Sequence, residues 1–427
     1  MEKLKDKYKF LLILIIILAI LIRIVFISKN TISDYQFDVG IGILESEEDY
    51  NNLYENFEEE PNTGRHINYI MQLYTYNSLP NKIIGQFYHP PLHHFIMSSW
   101  LKISDNISNI SSFKFESMQF ITLIYSSVIL IFLYKILKEL EIEDKNKIIP
   151  MLLFSFYPLY IFMSGSINND ELVTMFAVLE LFYLIKWEKN PSIKNAVLIA
   201  ICIGLGLMTK TSMIVMLVPT IYVYFKKLIE FVNNDKSIKK LLIELLTFTI
   251  ISATLGLWFQ FRSLMNNLNT LGIIQPYEYL SIANESVFAR FGISNIFKVS
   301  NVNIWNYLIY SSLNFVVSDK ITVYSIIMAI LVITLIADII YFIFKNIRSY
   351  KLLFITLLTW WISYFYLNIS MPYTCSMHSR YMILPISIGI IYLGIGMKNG
   401  KNNFLKMQIY ISSSIILLMS IFKFILF

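Results

Sequence analysis

The chain has 427 residues, of which 56% are hydrophobic and 15% are charged, and its formal net charge is +6. Apolar runs of about 17–25 residues recur along it, the length at which a helix crosses the core of a bilayer. These runs are too numerous to be the core helices of a soluble multidomain protein, so that class is excluded. The composition predicts an all-α polytopic membrane protein, which we expect to form a single domain over 1–427.

The apolar runs predict about eleven transmembrane helices. The first run follows a basic N-terminal segment, is long for a signal peptide and lacks a small-residue cleavage site, so we interpret it as a retained span. Arg23 lies near the outer end of this span, where its long side chain could extend to the membrane surface. The runs lie at roughly 10–27, 117–137, 147–164, 170–187, 194–209, 212–226, 240–261, 321–345, 351–369, 380–397 and 405–426.

The loops between these runs fall into two sets that alternate along the chain. The lysine-rich set is 1–9, 135–147, 186–194, 226–240, 345–351 and 398–406, and the other set is 28–116, 165–169, 210–211, 262–320 and 370–379. The positive-inside rule places the first set, with the N-terminus, in the cytoplasm and the second set outside the plasma membrane. Residues 92–103 are too few to cross, so we expect a juxtamembrane helix there.

Residues capable of chemistry concentrate in the predicted outside loops. The first large loop, 28–116, carries Asp34 and Asp38, which would share one face of a helix because they are four residues apart. A carboxylate at the outer membrane surface could accept a proton from a hydroxyl group, or it could simply be solvated. The second large outside loop is 262–320.

All five histidines of the chain also fall outside under this topology. The stretch QFYHPPLHH contains Gln86, His89, His93 and His94, and its two prolines suit the first turn of a helix. With His66 in GRHINYI, these side chains could bind phosphate or serve as structural hydrogen-bond partners. His89 and His93 could also ligate a divalent metal. No fixed Cys/His spacing motif is present, so the sequence identifies no definite cofactor.

Three short segments add charge on the same predicted face. Asp170 in SGSINNDEL falls in the first turn of a helix, either as part of a cap or as an acidic group near an acceptor. Lys210 in GLMTKTSM is the only charge between two apolar runs, where it could extend to the membrane surface or bind phosphate. In SMHSRYMILP, His378, Arg380 and Tyr381 precede a span, and the arginine could bind phosphate in a bidentate manner or anchor the helix at the interface.

Taken together, these motifs resemble the membrane glycosyltransferases of the GT-C superfold. The acidic residue after the first span, the HPPL stretch, the NND and TK turns and the late RY…P are similar to the protein-mannosyltransferase (family 39) and aminoarabinose-transferase branch. The resemblance runs from the first span to about Pro385 and implies a GT-C-like fold, a polyprenyl-phosphate sugar donor, a catalytic Asp in the first outside loop and inversion at the anomeric carbon. That branch commonly has Asp-Glu after the first span, whereas Asp34-Tyr35 and Asp38-Val39 stand here. The FDVG setting favours Asp38 as the base, with Asp34 as the alternative.

We therefore expect transfer of a mannose-like hexose or a pentose from a polyprenyl phosphate to a hydroxyl of a glycan, lipid or protein at the outer face. Lys210 and Arg380 would stabilise the leaving phosphate, and His66 and His89 would orient the sugar or the carboxylate. The remaining substrate-binding candidates are Gln86, His93, His94, Asp170, His378 and Tyr381. The bilayer is a partner, and nucleic acid is not expected.

Two other functions are compatible with the sequence. A flippase or transporter for lipid-linked saccharides would carry ionisable residues in mid-span and two related halves, and neither feature is visible. A ligase or polymerase of surface polysaccharide would instead use a lipid diphosphate donor. The type of donor separates this second function from the first.

Overall fold

The structure is a computed structural model. It describes residues 2–32, 46–55, 65–81, 85–234, 238–266, 268, 281–293, 302–313, 323–400 and 402–426. The two predicted catalytic carboxylates, Asp34 and Asp38, lie outside the described residues. Within the described part of the chain the regular structure is helical, and extended backbone pairs only at one isolated bridge, between Ser281 and Tyr373.

Nineteen α-helices occur in the described residues, and short 3₁₀ segments at Gly85–Tyr88, Thr211–Met216, Thr374–Met377 and Ser379–Met382 accompany them. The helices are α1 (Glu2–Lys29), α2 (Glu47–Glu55), α3 (His66–Tyr76), α4 (Leu92–Ser104), α5 (Ser111–Glu116), α6 (Gln119–Glu139), α7 (Asp144–Phe156), α8 (Pro158–Met163), α9 (Asn169–Lys189), α10 (Ile193–Leu207), α11 (Leu217–Asn233), α12 (Lys239–Gly256), α13 (Trp258–Met265), α14 (Val287–Phe291), α15 (Ile304–Ser312), α16 (Val323–Asn346), α17 (Lys351–Ser370), α18 (Ile383–Asn399) and α19 (Asn403–Leu426).

Seven helical segments in the described residues are long and apolar enough to cross a membrane, which agrees with an integral membrane protein. An eighth span results if α12 and α13, which are bent by 48° at their junction, cross together. The predicted count of about eleven is therefore not confirmed. The seven segments are Asp6–Lys29, Ser111–Glu139, Thr211–Asn233, Ile326–Asn346, Lys351–Ser370, Thr374–Asn399 and Asn403–Phe422.

The three remaining predicted spans are not among these segments, each for a different physical reason. The run at 147–164 is broken between α7 and α8, because Pro158 has no N–H group for a helical hydrogen bond. Helix α9 has 21 residues but includes Asp170, Glu171 and Glu180, all buried. Helix α10 has only 15 residues, fewer than a perpendicular crossing needs.

Arg23 of α1 does not extend to the membrane surface. Its side chain is 1% exposed, and its guanidinium donates to the carbonyl oxygens of Ser155 at 2.8 Å, Phe154 at 3.0 Å and Ala19 at 2.9 Å. Phe154 lies four residues before Pro158, so its carbonyl is the one that the proline deprives of a helical donor. Arg23 thus satisfies backbone groups at the break between α7 and α8.

The chain divides into two compact units. The first comprises Met1–Phe26, Leu130–Phe162 and Gln275–Phe427, and the second comprises Ile27–Ile129 and Met163–Ile274. In the first unit α16 and α18 pack so closely that a Cβ on Gly396 would lie 2.2 Å from the ring of Phe342. In the second unit α10 and α12 meet at Gly204 and Gly256. Small residues at such contacts are typical of helix packing in membranes.

Candidate active site

The HPPL stretch folds as the start of helix α4 in the second unit. Pro90 and Pro91 precede Leu92, where α4 begins, so the missing proline amides leave no helical hydrogen bond unmade. The N–H of Leu92 donates instead to the carbonyl oxygen of Met208, at 2.9 Å. This bond joins the start of α4 to the TK turn, which the sequence had placed as a separate feature.

Helices α3 and α4 bring four histidines together. Nδ1 of His66 lies 2.8 Å from Nε2 of His94, so one of these nitrogens donates a hydrogen bond to the other. The ring centroids of His66 and His89 are 6.0 Å apart, and those of His93 and His94 are 5.3 Å apart. All four side chains are buried. Tyr69 stacks on His94 with a centroid distance of 4.0 Å.

His93, like His94, has no exposed surface within this histidine cluster (His66, His89, His93 and His94). It is fully buried, and neither ring nitrogen has a hydrogen-bond partner among the described residues. Burial lowers the pKa of His93 from 6.5 to about 3, while the charge of Asp170 acts in the opposite direction. Burial also holds the pKa of His94 well below its ordinary value. Both rings are therefore neutral at physiological pH, able to donate from one nitrogen and accept at the other.

The NND turn and the TK turn form an ion pair at the start of α9. Asn168 caps the helix, because its side chain accepts a hydrogen bond from the N–H of Asp170 at 3.0 Å. Asp170 pairs with Nζ of Lys210 at 2.5 Å, and the two side chains are 5% and 13% exposed. Asn169 also donates to the carbonyl oxygen of Thr209, at 3.3 Å. The capping role considered for Asp170 thus falls to Asn168, and Asp170 faces a cation.

One glutamate holds chain segments on both sides of residues 33–45. The carboxylate of Glu116 accepts hydrogen bonds from the N–H of Ile32 at 3.1 Å, from the hydroxyl of Tyr50 at 2.5 Å and from the amide of Gln119 at 2.7 Å. Gln119 also donates to the carbonyl oxygen of Asn30, at 2.9 Å. Glu116 therefore contacts described residues that lie before and after the sequence segment with Asp34 and Asp38.

The late motif forms a separate cluster in the first unit. Nδ1 of His378 accepts a hydrogen bond from the N–H of Arg380 at 3.0 Å, and the Arg380 guanidinium donates to the hydroxyl of Tyr381 at 2.8 Å. The backbone of Tyr381 is held in turn, because its carbonyl oxygen accepts from the indole of Trp360 at 2.7 Å. Both His378 and Arg380 are 4% exposed. Arg380 is thus buried in this cluster and is not an exposed interfacial anchor.

The predicted site residues therefore fall into two groups, one in each unit. The second unit brings together the histidine cluster, Asp170 and Lys210, with Gln86 half-buried in the 3₁₀ turn that precedes α4. The first unit holds His378, Arg380 and Tyr381. Among the described residues, no three His, Cys, Asp or Glu side chains are arranged to hold a metal ion, so the metal suggested for His89 and His93 has no third ligand there.

Two aromatic contacts of the histidine cluster were not anticipated from the sequence. Tyr69 lies three residues after His66 on α3, so the spacing alone places both on one helix face and could have identified it. Tyr125 of α6 lies with its ring centroid 6.3 Å from that of His93, and its hydroxyl is buried without a hydrogen-bond partner in the described structure. No sequence spacing links Tyr125 to His93.

A stretch of the chain that includes the HPPL, NND and TK motifs is similar to a known family. Residues 88–258 match the family model for dolichyl-phosphate-mannose-protein mannosyltransferase. The mannosyltransferase match begins beside HPPL, includes both the NND and TK turns, and covers less than half of the chain. It confirms for this segment the resemblance that the motifs indicated, and it indicates a membrane glycosyltransferase that uses a polyprenyl-phosphate sugar. A comparison with curated proteins gave no match.

Proposed function

We propose that the chain is an inverting glycosyltransferase that moves a sugar from a polyprenyl phosphate to a hydroxyl acceptor at the outer membrane face. The observation that carries the proposal is the buried Asp170–Lys210 pair beside the histidine cluster, within the segment that matches the mannosyltransferases. Lys210 offers a cation for a phosphate, and the neutral imidazoles of His93 and His94 can pair with hydroxyl groups. The arrangement therefore suits a sugar phosphate.

The chemistry requires a base and a stabilised leaving group. Asp38, or Asp34 in its place, removes the proton of the acceptor hydroxyl, and the hydroxyl oxygen attacks the anomeric carbon from the face opposite the phosphate. The bond between that carbon and the phosphate oxygen breaks, and the electron pair leaves with the phosphate. Lys210 and Arg380 are the cations assigned to the phosphate, which then needs no general acid.

The histidines have a different role in this proposal from the cations. Because His93 and His94 are neutral, they add no positive charge for a phosphate but can pair with hydroxyl groups as donor and acceptor. We therefore assign His93 to a sugar hydroxyl, and His66 and His89 to orienting the sugar. Gln86, His378 and Tyr381 remain assigned to the substrate by sequence alone. The sugar, a mannose-like hexose or a pentose, and the acceptor, a glycan, lipid or protein, belong to the same proposal.

The experiment is a transfer assay with the full-length protein reconstituted in liposomes. A panel of labelled polyprenyl-monophosphate sugars and matching diphosphates is supplied together with membrane extract as acceptor. We expect transfer from a monophosphate, with Asp38→Asn abolishing it while donor binding persists. Full transfer by Asp38→Asn, with loss in Asp34→Asn, moves the base to Asp34. Transfer only from diphosphates identifies a ligase or polymerase, and movement of the donor across the bilayer without transfer identifies a flippase.

A further inference from the structure

A polar cavity lies in the second unit, at the lysine-rich ends of α9, α11 and α12. Its volume is about 360 Å³, which lies within the range of small-molecule sites. Lys189, Lys227 and Lys240 line it together with Glu230 and Glu244. None of these residues takes part in the proposed transfer. They come from the loops 186–194 and 226–240 and the first turns of α12, the end that the charge pattern assigns to the cytoplasm.

Glu244 provides the cavity with a hydrogen-bond acceptor that has no donor among the described residues. The side chain is 1% exposed, and its Oε2 accepts a hydrogen bond from the indole of Trp187 at 2.8 Å. The other oxygen, Oε1, is buried and has no hydrogen-bond partner in the described part of the chain. A buried carboxylate oxygen left without a donor is costly, so a ligand that brings a hydroxyl or ammonium group would relieve that cost.

The charge around the cavity favours an anion. Three lysines against two glutamates leave one positive charge in excess. One of the lysines, Lys227, is already paired with Glu230 at 2.7 Å. A ligand with a single negative charge would therefore neutralise the net charge of the cavity lining, whereas a zwitterion would leave one positive charge in excess.

The surfaces beside the cavity are apolar and exposed on two helices. Such stripes face hydrocarbon when a helix lies in a bilayer. They would place acyl chains against the protein while a headgroup occupied the cavity. On α11 the stripe is Ile221, Phe225, Ile229 and Val232, and on α12 it is Leu242, Leu246 and Ile250.

We propose that this cavity binds the headgroup of an anionic glycerophospholipid, with its phosphodiester at Lys189 and Lys240 and a headgroup hydroxyl donating to Oε1 of Glu244. A headgroup of the phosphatidylglycerol type has this chemistry, one negative charge together with free hydroxyls. Basic pockets between membrane helices on the cytoplasmic side are a recurrent setting for anionic headgroups.

The test is lipid titration of the delipidated full-length protein in detergent, read by native mass spectrometry. Phosphatidylglycerol, phosphatidylethanolamine and phosphatidylcholine with identical acyl chains are compared, together with soluble glycerol 1-phosphate. We expect phosphatidylglycerol to bind most tightly. Lys189→Gln and Lys240→Gln should each weaken it about fivefold, since a lysine near the anionic surface contributes on that order.

Lys194→Gln is the matched control, because Lys194 is exposed in the first turn of α10, five residues after Lys189, but does not line the cavity. Unchanged phosphatidylglycerol binding in this variant supports the assignment. Equal weakening by Lys194→Gln, or equal binding of the three lipids, would overturn it. Preference for phosphatidylethanolamine would assign Glu244 to an ammonium group instead, and equal affinity for glycerol 1-phosphate would make the ligand a soluble phosphate ester.

Discussion

Asp170 and Lys210 form a buried ion pair in the candidate site. Both residues were singled out from the sequence, but in different roles, one near the acceptor and the other at the phosphate. Residue types in two short turns can suggest that charges lie on one membrane face. They cannot show that the charges pair, because the pairing depends on how α9 and the TK turn pack.

Replacing one partner of this ion pair should destabilise the folded protein more than replacing both partners. Lys210→Gln leaves Asp170 buried without its cation, which costs about 3–5 kcal/mol. The double variant Asp170→Asn/Lys210→Gln should recover most of that loss. Thermal unfolding of the parent, Lys210→Gln, Asp170→Asn and the double variant in one detergent measures the coupling, and purely additive shifts would contradict it. Donor binding should be weakened in both variants that lack the lysine.

His93 should make stability depend on pH. Its pKa is about 3 in the folded protein, against 6.5 in the unfolded chain, so the unfolded state binds more protons between these values. The stability contributed by the neutral ring is complete above pH 6.5 and is lost as pH falls toward 3. We expect His93→Phe to show a smaller decrease in unfolding temperature than the parent protein between pH 6.5 and 5. Parallel curves for the two proteins would argue against a neutral buried His93.

At the scale of elements, the break between α7 and α8 is the clearest departure from the sequence prediction. The apolar run at 147–164 reads as one span, since hydropathy responds to side chains and not to a missing backbone donor. Pro158 carries the local signal for the break. Arg23, which supplies the missing donor, lies in α1, and no sequence spacing connects it with Pro158. Its long side chain instead favoured an interpretation as a surface anchor.

Arg23 and Pro158 should therefore be energetically coupled. Arg23→Leu removes the donors to Phe154 and Ser155, and each buried carbonyl left unsatisfied costs about 1–3 kcal/mol. Pro158→Ala restores an N–H that can reach the carbonyl of Phe154. In the Pro158→Ala background we expect Arg23→Leu to lower the unfolding temperature less than it does alone, and Arg23→Lys to give an intermediate result. Equal effects in both backgrounds would exclude the coupling.

At the scale of the whole molecule, the helical membrane class follows from composition, whereas the number of crossings does not. Long uninterrupted runs such as α1, α16 and α19 were predicted where they occur, because each is apolar and long enough by itself. Helices α9 and α10 do not qualify by themselves, since charge in one and shortness in the other are tolerated only when neighbouring helices enclose them. The site residues on the matched segment were identified by motif, and their contacts come from packing between distant turns.

Labelling of single cysteines can test on which side of the membrane each loop lies. In a chain with Cys202 and Cys375 replaced by serine, we expect a cysteine at Asn190 or Asn402 to react only with a membrane-permeant reagent. A cysteine at Ile107 should react with an impermeant one. This pattern requires an odd number of crossings between positions 107 and 190 and an even number between positions 190 and 402, as the charge distribution predicts. Labelling of position 190 from outside in intact cells would contradict that topology.

The contacts of Glu116 with Ile32 and Tyr50 join two points of the chain that are separated by residues 33–49. Closure entropy grows only with the logarithm of loop length, so each doubling of the enclosed chain adds about 0.6 kcal/mol. The entropy of holding these two points together therefore changes little with the length of chain between them, provided that the carboxylate and its donors remain. In evolutionary terms, insertions between the two attachment points would carry a small entropic cost, whereas loss of Asp38, or of Asp34 in its place, would remove the proposed base.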